Sequence, residues 1–170
     1  MISKKFASIM MIVGPILTLI MAFTGPLSPN AGVSWSDTQA VLGELAAANT
    51  DWAQINFLLL SIGLIMQVLG IRYFVNSMNS NDSVANYSLT GGMAMIMGVI
   101  VVFGEGLFYG AAANAAAIAG GAGMGTAASM WAGGQAFGAG GSILLFLGMA
   151  LVSISAYVTN TFNKIIAILL

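Results

Sequence analysis

The sequence has no cysteine and no histidine, and only four Lys or Arg and five Asp or Glu among 170 residues. The lack of cysteine excludes disulfides, iron–sulfur ligation, thiolate zinc sites and thiol nucleophiles. The lack of histidine excludes His-ligated haem, copper or zinc and every Ser-His type triad. Charged residues make up 5% of the chain, against about 25% in an ordinary soluble domain, so a water-facing globule is excluded. A net charge of -1 with so few cations leaves no footprint for nucleic acid. No catalytic group, cofactor or metal site is indicated.

What is present is apolar: 59% of residues are hydrophobic. A spanning helix needs roughly 20 predominantly apolar residues, and four segments supply them, near 6–23, 55–74, 89–110 and 140–158. Lys4 and Lys5 precede the first run, but no good cleavage site follows, so an uncleaved first span is predicted. Gly14-Pro15 lies inside it, where proline removes one backbone donor. With four spans, Lys4, Lys5, Arg72 and Lys164 all fall on one face. Positive charge marks the cytoplasmic side, so both termini are expected in the cytoplasm and the protein in the plasma membrane. Trp35, Trp52 and Trp131 then mark the outer interface, and Tyr73, Tyr87 and Tyr157 the inner one.

Between spans one and two, Ser36 followed by Gln39 reads as a capping box opening a short helix over 37–48. Val41, Leu42 and Leu45 share one face of it, which either lies on the membrane surface or caps the bundle. Asp51 and Gln54 open span two in the same way. The stretch 111–134 is almost entirely Ala and Gly. It reads as a low-complexity connection in which span three continues to about Ala119, Gly120 and Gly121 stop it, and a short turn follows at 126–131. The apolar run 165–170 is too short to span.

Small residues recur every seven positions: Asn56, Gly63, Gly70 and Ser77; Gly91, Gly98, Glu105 and Ala112; Gly134, Gly141, Gly148 and Ser155. Lipid gives helices no hydrophobic reason to associate, so close backbone approach at small residues must supply the packing. A seven-residue repeat keeps one face against its neighbour in a left-handed supercoil. The expected fold is therefore an all-α integral membrane protein: four transmembrane helices in an antiparallel, left-handed, glycine-rich bundle with a short interfacial helix between spans one and two. Spans two, three and four form its sheaf, and Gly14 and Ala7 of span one join it. The GxxxG pairs Gly106/Gly110 and Gly134/Gly138 add a weaker signal.

Glu105 is the only carboxylate inside a span, and an intramembrane ionisable residue is a functional candidate by default. It lies about 7 Å inside the outer end of span three. Asn56 is expected at a similar depth, with its amide able to bond the carboxyl group. Tyr109, one turn on, and Asn114 or Gln135 complete an outer polar cluster. Glu105 is then either an ion- or proton-binding group or a hydrogen bond joining helices, and Gln67 is helix glue. These features point to a non-catalytic accessory or structural subunit of a larger integral membrane complex, whose other chains hold any redox centres. Other membrane subunits and lipids are the expected partners. The alternative is a small homo-oligomeric channel or transporter using Glu105.

Overall fold

The computed structural model describes residues 4–25, 32–34, 36–47, 51–78, 85–118 and 121–159. Among them the chain is all-helical, with α1 (Lys4–Thr24), α2 (Thr38–Ala47), α3 (Asp51–Met78), α4 (Ala85–Ala116) and α5 (Met124–Val158). All but α2 are long and apolar enough to cross a membrane. Trp35, the loop at 79–84, Lys164 and the run 165–170 lie outside the described residues, as do the side chains of Asp51, Gln54 and Ser77.

Each helix end has a local cause. The cap of α2 falls one residue later than the sequence reading placed it: the Asp37 carboxylate, not Ser36, accepts the Ala40 N–H at 3.1 Å. Ser36 instead pairs its hydroxyl with that of Ser34. Asp caps as well as Ser, and Val41, Leu42 and Leu45 are the buried residues of the helix. Helix α4 ends close to the expected limit near Ala119, but 126–131, expected as a short turn, is helical. Helix α4 runs to Ala116 and α5 already begins at Met124, because alanine is the strongest helix former and overrides the glycines around it. The turn between them uses Gly121 at φ 73°, a conformation L side chains avoid. Gly123 lies so close to the Ala115 carbonyl that any side chain there would collide with it.

With 32 and 35 residues, α4 and α5 are about 48 and 52 Å long at 1.5 Å per residue, well over the roughly 30 Å of a hydrocarbon core. Their excess length meets α2. Val41, Leu42 and Leu45 pack with Tyr109, Ala112, Ala113, Ala127 and Trp131 in one buried cluster. Of the two roles open to α2, capping the bundle is the one observed.

The glycine repeats build two helix pairs rather than a three-helix sheaf. A methyl group added at Gly91 would sit 2.8 Å from the Gly148 carbonyl oxygen, and one at Gly98 equally close to that of Gly141. Positions therefore fall along α5 as they rise along α4. On α3 the repeat faces α1 instead: a methyl group on Gly14 would lie 2.9 Å from the Gly63 carbonyl oxygen, and Gly70 lies against Met11. The pairs meet through α3 and α4, where Val75 fills the space over Gly92. Glycine faces seat only one neighbour closely, so a single stripe per helix yields pairs.

Substituting Gly98→Leu should lower folded stability by about 1–3 kcal/mol, measured by denaturant or steric-trapping titration. Gly125→Ala, where a methyl group meets nothing within 4 Å, should be neutral or stabilising by up to about 1 kcal/mol.

Candidate functional site

The polar cluster at the α2 end is built across the α4–α5 seam. Glu105 and Tyr109 stand one helical turn apart on α4, so their side chains share a face, and the Tyr109 hydroxyl donates to Glu105 Oε1. From α5, Gln135 Nε2 donates to the Tyr109 hydroxyl oxygen at 3.0 Å. Two glycines make the seat. The Tyr109 ring lies over Gly134, and the Glu105 carboxylate lies against Gly138, where a methyl group would meet Oε2 at 2.6 Å. The Gly134/Gly138 pair is thus the floor under two candidate site side chains.

Three of the four residues expected here come together; Asn56 does not. It is buried, 1% exposed, and its amide donates to the Met21 carbonyl at 3.0 Å, tying α3 to α1. The physical reason is pairing: the α3 face that carries Asn56 also carries Gly63 and Gly70, and that face meets α1. Gln67 behaves as expected, donating to Thr18 Oγ1 at 2.9 Å, while Thr18 donates to the Gly14 carbonyl. Asn114 is exposed.

Trp131 corrects the aromatic-belt reading. It is 3% exposed and stacks on Tyr109, with ring centroids 4.6 Å apart. Trp52 is exposed and donates its indole N–H to the Thr24 carbonyl. The sequence does not show the roles of Trp131 and Gly138; the seven-residue register that sets Gly98 opposite Gly141 puts Glu105 opposite Gly134, one turn from the Gly138 it rests on.

Chemically, the cluster is a half-exposed carboxylate with one oxygen held by a phenol. Among the described residues Oε2 of Glu105 and the amide oxygen of Gln135 accept no hydrogen bond, and no cation pairs with Glu105. No group of three His, Cys, Asp or Glu that could hold a metal ion occurs among them. The methionines at 93 and 97 face outward, while Met95 lies against Gly148. No protein family, curated protein or solved structure matches this chain.

Tyr109→Phe keeps the ring stack but removes the hydroxyl that joins Gln135 to Glu105, and should cost about 0.5–2 kcal/mol of stability. Asn56→Ala should cost a similar amount at the other helix pair. Because the two sites share no partner, their effects should add within about 0.5 kcal/mol in the double variant. A larger coupling energy would contradict the separation of Asn56 from the cluster.

Proposed function

We propose that the chain is a non-catalytic accessory or structural subunit of a larger integral membrane complex, with any catalytic or redox centres carried by other chains. The observation behind this reading is where the polar side chains of the long helices go. Asn56, Gln67 and Thr18 bond α3 to α1, and Gln135 and Tyr109 bond α5 to α4. Polar groups used in this way hold helices together in lipid, and leave few for a transport path or a reaction. Around them, large apolar side chains face outward on all four long helices, as at Ile12, Leu58, Ile100 and Phe146. Such a surface suits lipid and neighbouring membrane chains alike. One observation favours a second reading, a channel or transporter built from several copies: among the described residues, Glu105 keeps an oxygen without a hydrogen-bond donor.

Gentle detergent extraction of the native protein, a native gel and mass spectrometry of the migrating species separate the two. Stoichiometric co-migration with other membrane subunits is expected. An assembly of this chain alone would reject the accessory role and favour the channel.

We also infer that both termini face the cytoplasm, on the strength of the positive charges. The chain lacks native cysteine, so a single introduced thiol reports its own side. An impermeant maleimide added outside intact cells should label Gly43→Cys on α2 and leave Asn86→Cys at the start of α4 unlabelled until the cells are opened. The reverse pattern would invert the topology.

A further inference from the structure

We propose that Tyr109 couples the charge of Glu105 to the packing of α2, so that a proton taken up by the carboxylate loosens the cap on the α4–α5 pair. This goes beyond the accessory role and does not depend on it.

The coupling runs through contacts that the fold already makes. Tyr109 donates its hydroxyl hydrogen to Glu105 Oε1 and accepts from the Gln135 amide at 3.0 Å. Its ring lies over Gly134, where a methyl group would meet ring carbon Cε1 at 2.5 Å, and it stacks on Trp131 with centroids 4.6 Å apart. Tyr109 and Trp131 are both buried, and with Val41, Leu42 and Leu45 of α2 they form one cluster. Phenol and indole thus lead from the carboxylate to α2.

The strength of the first bond depends on charge. An ionised carboxylate accepts the phenol hydrogen through a charge-assisted bond, shorter and roughly twice as strong as a neutral one. A proton taken up from water bonds to Oε2 and leaves Oε1 as a neutral acceptor. The carboxyl group lies on the bare α5 backbone at Gly138, and the phenol oxygen is fixed rigidly to its ring, so a longer bond displaces the ring itself. Close-packed interiors transmit such displacements. Ionised Glu105 therefore holds the Tyr109 ring on Trp131, and the protonated acid relaxes that hold.

The other titratable groups on the elements around α4 are few. Helix α5 carries no Asp, Glu, Lys or Arg, and its tyrosine, Tyr157, is at the far end. Helix α3 has Asp51 at its start, and Arg72 and Tyr73 toward its end, near the Val75–Gly92 contact. Tyr87 is in the first turn of α4. Helix α2 carries Glu44, and Asp37 caps it. These last two adjoin the cap without passing through Tyr109, so they serve as controls.

The test uses the full chain with Trp35→Phe and Trp52→Phe, which leaves Trp131 as the sole indole. Its emission is titrated between about pH 4 and 9, and hydrogen-exchange protection of Thr38–Ala47 is read at both ends of the range. Emission should change in one step, and α2 protection should fall about fivefold on the acid side, the difference between a charge-assisted and a neutral hydrogen bond. Glu105→Gln, whose amide oxygen accepts as a neutral acid does, should hold both readouts at their acid-side values throughout. Tyr109→Phe should make both independent of pH and of Glu105→Gln. Asp37→Asn, Glu44→Gln, Asp51→Asn and Asp82→Asn, the remaining acids of the chain, should each keep the step. Protection of α1 and α3 around Gly14 and Gly63 should stay constant, which separates a loosened cap from a general loss of stability. Circular dichroism and size exclusion establish that each variant is folded; if Glu105→Gln does not fold, the wild-type step and its loss in Tyr109→Phe carry the test. A wild type with flat emission and constant α2 protection would overturn the proposal. So would a step retained in Glu105→Gln or Tyr109→Phe, or one lost in a variant of Asp37, Glu44, Asp51 or Asp82.

Discussion

Backbone-to-backbone approach at glycine is the constraint on which the rest of this structure depends. In lipid, a leucine gains little by leaving its surroundings for another helix, so dispersion contacts and hydrogen bonds between helices must do the associating. Both grow when helix axes come close, and axes come close only where side chains are missing. Gly91 against Gly148, Gly98 against Gly141, and Gly14 against Gly63 supply that closeness. Short polar side chains then reach across: Asn56 to a main-chain carbonyl of α1, Gln67 to Thr18, and Gln135 to Tyr109. None of these bonds would span helices separated by ordinary leucine packing.

The same constraint explains why the site sits where it does. Glu105 occupies a position of the α4 repeat that is otherwise small, and it is accommodated because α5 offers Gly138 as a flat floor. Tyr109 uses Gly134 in the same way and turns its ring onto Trp131, so the carboxylate is joined by one residue to the cluster under α2. A change in the membrane carboxylate would be felt first by a ring that is also part of the cap.

Much of this was legible in the sequence, and the errors have physical sources. The four spans follow from apolar length, and the meeting of Glu105, Tyr109 and Gln135 follows from helical spacing and depth. The partner of each stripe does not, because a glycine every seven residues states that a neighbour comes close without saying which. Depth alone pairs Asn56 with Glu105, whereas its amide bonds the Met21 carbonyl of α1. The continuation of span three toward Ala119 follows from its alanines, but weakly hydrophobic alanine and glycine after Gly121 read as a connection, and alanine's preference for helix starts α5 at Met124 instead. Chain position puts Trp131 in a belt, and the long hairpin draws it into the protein instead.

The order of pairing along the chain bears on how the molecule assembles. Helices α4 and α5 are consecutive and joined by a turn of a few residues, so closing that pair costs little chain entropy. Helix α1 finds its partner only after α2 has intervened, since its groove lies on α3. During synthesis α1 must therefore wait in lipid with Gly14 and the Met21 carbonyl uncovered. Helix α1 is thus made before the face that receives it, and any delay in α3 prolongs the time α1 stands without that partner.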